Sequence, residues 1–280
     1  MTYRLLALNI DGTILSENAR ISKQTKDAIE YVKNKGVYVT LVTARPFSSA
    51  KKVARALKLD HYLIVNDGAF IATTVEDPIV AKRIKEEKAL QLVDFLEQYE
   101  CHIRVIHEKY TIGNKIRQKN NLMAKMTIGG GGSLFNQVTF VESVGEQLVK
   151  DPISPLKIHV QFFDSIEKER ALKHLEKMQN GIRVIESTEN QIHLVHESVS
   201  KVSGLRVLGR HLGIDPKEMV AIGVDVEDVE MITQVGLGVA MGNAVKEAKD
   251  AADWITRSNE QNGVSYMIRE VFRKQLRVKI

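Results

Sequence analysis

The sequence predicts an α/β protein, a doubly wound parallel sheet split by an inserted α+β domain. Three features carry that expectation. Apolar runs of strand length alternate with amphipathic segments of helix length through the first eighty residues. From residue 83 to 196 the texture changes, and helical patterns lie between longer β-rich runs. From residue 197 the strand–helix alternation resumes. The expected division is a discontinuous core of residues 1–82 and 197–280, with residues 83–196 as the insert.

Residues 4–8 form a short apolar strand, followed by the turn Asp11-Gly12-Thr13. Over 22–35, Ala28, Ile29 and Val32 recur at helical spacing, and Gly36 closes the helix as a C-cap. A second strand spans 37–42, a helix 48–59, and a third strand 62–65, which ends in Asn66-Asp67-Gly68. In the insert, helices are expected at 87–99 and 166–178, and β-rich runs at 101–106, 158–163 and 192–195. The run Gly129 to Gly132 lacks the Gly-Lys-Ser/Thr ending of a phosphate-binding loop, so a loop of the insert is expected there. A helix at 201–212, a strand at 219–223, a helix at 229–234 and a strand at 237–240 complete the pattern. Neither a repeat nor a low-complexity segment appears.

The composition is that of a globular chain, with 44% hydrophobic and 27% charged residues over 280 positions. No apolar stretch reaches the roughly 18 residues that span a bilayer, so no membrane partner is expected. Asn9 and Asp11 interrupt the apolar run Leu5-Leu6-Ala7-Leu8, which is expected to be a buried strand and not a signal peptide. Cys101 is the single cysteine, which excludes an internal disulfide and fits a reducing, cytoplasmic setting. Within an apolar strand it is expected to be inert core.

The net charge of +5 invites a nucleic-acid partner, but the basic residues are spread out. The densest groups are Lys109, Lys115, Arg117, Lys119 and Lys125, and then Arg269, Arg273, Lys274, Arg277 and Lys279. Aromatic residues make up only 6%, so base-stacking platforms are scarce and solvated faces are expected instead. None of the eight histidines pairs with another by spacing; His193 and His196 stand at odd spacing in or beside a strand and face opposite sides.

Ligands of open α/β sheets bind beyond the carboxyl ends of the strands. Asn9, Ile10, Asp11, Gly12 and Thr13 follow the first strand, and Thr43, Ala44 and Arg45 the second. Val224, Asp225, Val226, Glu227 and Asp228 follow the strand at 219–223, and Lys201 opens the helix after the insert. A threonine hydroxyl and backbone N–H groups can donate to phosphoryl oxygens, and a lysine adds a compact positive charge. Carboxylates at two strand ends can bracket Mg²⁺. Bland roles compete with these. Asp11 can instead cap its own turn, Lys201 can be a surface lysine, and Asp225, Glu227 and Asp228 can simply complement a helix N-terminus.

Four segments in order resemble the haloacid dehalogenase (HAD) superfamily of phosphatases, in its Cof-type branch with a large inserted cap. They are Leu8-Asn9-Ile10-Asp11-Gly12-Thr13, Val42-Thr43-Ala44-Arg45-Pro46, Ser200-Lys201, and Gly223-Val224-Asp225-Val226-Glu227-Asp228 followed by Met231. Met241-Gly242-Asn243-Ala244 and Asn262-Gly263-Val264 also look like the branch. The resemblance implies a Rossmann-like core and a pocket for the phosphoryl group of a small metabolite. Within it, Thr43, Ala44, Lys201, Asn243 and the position of Glu227 hold phosphate. It implies a general acid/base at Asp11 and Mg²⁺ shared by the nucleophile position, the Asp11 backbone carbonyl and the first carboxylate of the last motif. That motif normally reads Gly-Asp-x-x-Asn-Asp.

This chain departs from the pattern. Asn9 stands where the nucleophilic aspartate belongs, Val224 where the metal-ligating aspartate belongs, and Glu227 where an asparagine faces the phosphate. A degenerate phosphatase with a retained phosphate pocket and weakened or absent Mg²⁺ binding is the expectation. One alternative is an active Mg²⁺-dependent hydrolase using Asp11, with Asp225 or Asp228 as substitute ligands. Another is an interaction protein whose pocket is a relic.

Overall fold

The computed structural model describes residues 2–115, 138–178 and 180–278. The run Gly129 to Gly132 and the basic residues Arg117, Lys119, Lys125 and Lys279 lie outside the described residues. The chain divides into two compact units, one of residues up to 80 and from 200 onward, the other of residues 81–199.

The first unit is built on a five-stranded parallel sheet. Its strands are β1 (Leu5–Leu8), β2 (Tyr38–Leu41), β12 (Met219–Gly223), β13 (Leu237–Ala240) and β14 (Trp254–Ile255), in the order β14-β13-β12-β1-β2. All four residues of β1 are buried, as a central parallel strand covered on both faces requires. β3 (Leu63–Val65) meets the end of β2 through a parallel bridge from Val42 to Ile64. It pairs antiparallel with β4 (Phe70–Ala72), and β5 (Pro78–Ala81) completes this three-stranded set.

Helix α1 (Lys23–Asn34) starts where Ser22 accepts from the Thr25 N–H and buries Ala28, Ile29 and Val32. Each buried isoleucine or valine contributes roughly 1.5–3 kcal/mol. Helix α2 (Phe47–Ala56) follows β2. Helix α6 (Lys201–Leu212) opens on a reciprocal cap between Ser200 and Ser203 and closes on Gly213 at φ 64°. Gly68 lies directly against that helix start. Its φ is 101°, and a Cβ there would stand 2.2 Å from the Ser200 carbonyl oxygen. Helices α7 (Val229–Thr233), α8 (Lys246–Ala251) and α9 (Gly263–Phe272) complete the unit.

The second unit is a six-stranded sheet in the order β10-β11-β9-β6-β7-β8. Its strands are β6 (Cys101–Ile106), β7 (Thr111–Asn114), β8 (Val138–Val141), β9 (Lys157–Phe162), β10 (Ile182–Thr188) and β11 (Gln191–His196). Ile103, Val105, Ile158, Val160, Ile192 and Leu194 share a core with Leu92 and Val93 of α3 (Glu86–Leu96). Val144 and Leu148 of α4 (Val144–Lys150), with Ala171 and Leu175 of α5 (Ser165–Leu175), join the same core. Cys101 is buried among them, and loss of solvent pushes its thiol up to about 12, where it is inert near neutral pH.

Most of the elements the sequence did not predict are short; helix α9, at ten residues, is the exception. β4, β5, β7, β8, β14, α4 and α8 are two to seven residues long, too short to show a period. β10 carries Arg183, Glu186, Ser187 and Thr188 and shows no clean alternation. Among the described residues, no helix is long and apolar enough to cross a membrane.

Candidate functional site

The residues singled out by sequence meet at the carboxyl ends of β1, β2 and β12, all within the first unit. Asn9 extends β1 by one residue, its N–H donating to the Ile222 carbonyl at 3.1 Å. Its side chain is buried and fully engaged. Oδ1 accepts from the Ile10 N–H at 2.8 Å, while Nδ2 donates to the Asp11 carbonyl at 3.1 Å and to Asp228 Oδ2 at 3.2 Å. The surroundings fix the amide's orientation. Reversed, it would set oxygen against two oxygens and an amino group against an N–H. Asn9 therefore caps the turn that Asp11 was expected to cap.

Gly12 has φ 63°, and a Cβ there would lie 3.2 Å from Val224 Cγ1, so the valine packs directly onto the turn. Asn243 secures the same turn by donating from Nδ2 to the Gly12 carbonyl at 2.9 Å.

Asp228 is the hub. It is wholly buried, and Oδ2 accepts from the N–H groups of Val224 at 2.8 Å and Asp225 at 3.2 Å as well as from Asn9. Gly223 permits this approach, because a Cβ there would fall 2.4 Å from Asp228 Cβ. Oδ1 accepts from Lys201 Nζ at 2.7 Å, and Glu227 Oε2 lies 3.4 Å from the same nitrogen. Lys201 is thus neither a surface lysine nor an unclaimed cation; internal carboxylates hold it. Burial alone would lower its ammonium, but Asp228, then Glu227 and Asp67, more than reverse that and raise it above the ordinary lysine range. Glu227 thus turns one carboxylate oxygen onto the lysine.

Asp11 is half-exposed and held bidentately by Arg45, Nε to Oδ2 at 2.8 Å and Nη2 to Oδ1 at 2.6 Å. Thr43 is buried, and its Oγ1 accepts from the Arg45 N–H at 3.1 Å; Ala44 between them is half-buried. Asp225 is exposed. Its carboxyl is held above the usual aspartate range by partial loss of solvent and then by Asp228, with Glu227 and Asp11 acting in the same sense.

Arg45 and Asn66 are the contributors that sequence reasoning left without a role. Asn66 and Asp67 follow β3 at φ 49° and 62°, and both polar atoms of the Asn66 side chain are buried without a hydrogen-bond partner. Thr13 Oγ1 and Glu227 Oε1 share that condition. The signal for Asn66 was the Asn-Asp-Gly turn at a strand end, a composition suited to left-handed backbone.

Magnesium does not fit these residues. Val224 offers no oxygen, Asn9 directs two N–H groups at the oxygens a cation would share, and both oxygens of Asp228 already accept. Among the described residues, no group of three His, Cys, Asp or Glu side chains is placed to hold a metal.

A sequence model of the family described as haloacid dehalogenase-like hydrolase matches residues 6–268. The chain is 46% identical over 277 residues to the stress response protein YhaX of Bacillus subtilis (strain 168), covering 99% of this chain and 96% of that protein. It is 26% identical over 269 residues to the 5-amino-6-(5-phospho-D-ribitylamino)uracil phosphatase YcsE of the same organism, covering 95% and 94%. A solved haloacid dehalogenase-like hydrolase of B. subtilis has the same fold, with a TM-score of 0.82 at 22% identity, covering 96% of this chain and 99% of that one.

Proposed function

The chain belongs to the haloacid dehalogenase-like hydrolase family, and on that premise we propose a Cof-type, phosphatase-like protein that no longer transfers phosphoryl groups but binds a phosphorylated small molecule. The carrying observation is the Asn9 amide, hydrogen-bonded to the Asp11 carbonyl and to Asp228. It leaves neither a carboxylate to attack phosphorus nor free oxygens to seat a cation. Losing a nucleophile alone costs on the order of a million-fold in rate. Removing the cation as well deprives the reaction of charge neutralisation. Asp11 is an unpromising substitute, because Arg45 holds both of its oxygens.

The ligand half rests on the polar atoms that the protein itself leaves unsatisfied. Buried groups without partners are costly, and Thr13 Oγ1 lies in the turn after β1 and the Asn66 amide directly after β3. The single cysteine, Cys101, free and buried, fits a cytoplasmic protein.

Hydrolysis of an aryl phosphate ester with and without Mg²⁺ tests the proposal. The natural chain is expected to be silent, and Asn9→Asp with Val224→Asp to gain metal-dependent turnover. Metal-dependent turnover by the natural chain that disappears in Asp11→Ala would instead establish an active hydrolase. Titration with sugar phosphates tests the pocket, and no binding at millimolar ligand would leave an interaction protein with a relic site.

A further inference from the structure

The opposite edge of the first unit's sheet, where its strands begin, holds another cleft. It encloses about 310 Å³ and is lined by Lys33 near the end of α1, Gly36 and Val37 ahead of β2, Tyr38 in β2, and His61 ahead of β3. Thr43 lies past the other end of β2, so this cleft and the strand-end pocket are separate. The volume is at the lower end for small-molecule sites and suits a single ring.

The cleft is rigidly built. His61 stacks on Tyr38 with ring centroids 4.1 Å apart and planes within 15° of parallel. Tyr38 Oη accepts from the Tyr62 N–H at 2.9 Å, and Thr40 Oγ1 donates to the Tyr62 carbonyl at 2.7 Å. Side chains of β2 thus clamp the backbone that carries His61. Its Nδ1 lies 3.1 Å from the Val39 carbonyl oxygen. A carbonyl can only accept, so Nδ1 carries the ring proton and Nε2 keeps a lone pair. With the Nδ1 edge turned to the backbone, the Nε2 edge is the one left to the cleft. Burial holds the ring below its ordinary value, helped by Lys33 and opposed by the Val39 bond and Asp60, so it is neutral near pH 7.

Lys33 supplies the complementary group. Its ammonium donates to the Lys58 carbonyl and retains further N–H groups. The cleft therefore combines a flat aromatic pair, an acceptor on His61 and a donor on Lys33. A carboxylate alone meets Lys33 but brings His61 no proton. A flat ring with an N–H beside an oxygen meets both and can lie against the stacked pair.

We propose that this cleft binds a planar oxo-heteroaromatic ring, which donates its N–H to His61 Nε2 and accepts from Lys33 through a carbonyl or carboxylate oxygen. None of these residues belongs to the strand-end pocket, so the proposal stands apart from the one above.

The test titrates the full chain with orotate, which carries ring N–H groups, carbonyls and a carboxylate, and separately with benzoate, which has no N–H. Calorimetry follows binding, and proton–nitrogen NMR follows the His61 ring, identified by its loss in His61→Phe. Millimolar orotate is expected to shift that ring, and benzoate to bind about tenfold more weakly or not at all. Lys33→Met is expected to weaken orotate binding by about tenfold as well. A ring that stays still with orotate would overturn the site, and the natural chain settles this even if a variant folds poorly. Benzoate binding as tight as orotate, or orotate binding unchanged in Lys33→Met, would overturn the pairing of donor and acceptor. Displacement of orotate by glucose 6-phosphate would overturn the site too, by moving the ligand to the strand ends.

Discussion

Asn9 shows how one side-chain substitution rearranges a site without emptying it. An aspartate in its place would set a carboxylate 3.2 Å from Asp228 Oδ2 and replace two donated hydrogen bonds by repulsion. Asn9→Asp alone is therefore expected to lose about 2 kcal/mol of stability or more in metal-free buffer, read as a lower urea midpoint. An unchanged midpoint would mean that the amide is not holding the turn. Lys201 is the complementary case. Lys201→Met leaves Asp228 buried without its counter-ion, an outcome worth about 3 kcal/mol or more. Because the folded lysine is raised, its contribution is complete below the ordinary lysine pKa and is lost only as pH climbs past it. The deficit of the variant should thus be flat through neutral pH. Asp225 has the opposite sign. A raised carboxyl binds its proton more tightly when folded, so native stability falls as pH rises from the ordinary aspartate value through the raised one. Asp225→Asn should remove that fall and melt higher than the natural chain at neutral pH.

At the scale of elements, the sheet of the second unit has an acid weakness built into one face. His102 is pulled down to about 4 from 6.5, so between those values the unfolded chain holds the proton and the folded chain does not. Stability should rise with pH across that window, by about 3 kcal/mol from this ring alone. His102→Gln is expected to flatten the acid limb of a urea-midpoint profile; a profile still as steep would move the cause elsewhere on the sheet. Nothing in the sequence announced this, since His102 and Arg104, two residues apart on β6, meet His159 and His193 only through strand register. Register across a long insert depends on which apolar faces meet, and local patterns do not encode it. The first unit was more legible because its strands β1 and β12 and its helix α6 carry their own signals, unbroken apolar runs and a serine cap. The segments Asn9 to Thr13 and Val224 to Asp228 could be placed at strand ends for the same reason. Their hydrogen bonds could not be read, because Asp228 satisfies the N–H groups of Val224 and Asp225 and the amide of Asn9 at once. That closure exists only in the packed fold.

At the scale of the whole molecule, the internal pairing of Asn9, Asp228 and Lys201 has a thermodynamic consequence that needs no substrate to detect. A ligand that binds only the folded chain stabilises it by an amount set by its concentration relative to its dissociation constant, about 2.7 kcal/mol at a hundredfold excess. A protein that needs Mg²⁺ to neutralise its strand ends should therefore melt higher in magnesium than in chelator. Here donors from the chain occupy those oxygens, with Lys201 and Asn9 both on Asp228. The melting temperature of the natural chain is accordingly expected to be the same in Mg²⁺ and in chelator, at matched ionic strength. Asn9→Asp with Val224→Asp should reverse this, unstable in chelator and recovering as magnesium is added, because two carboxylates then face the Asp11 carbonyl with no internal donor between them. A magnesium-dependent rise in the natural chain would mean that the amide yields to the cation, and the case for lost phosphoryl chemistry would go with it.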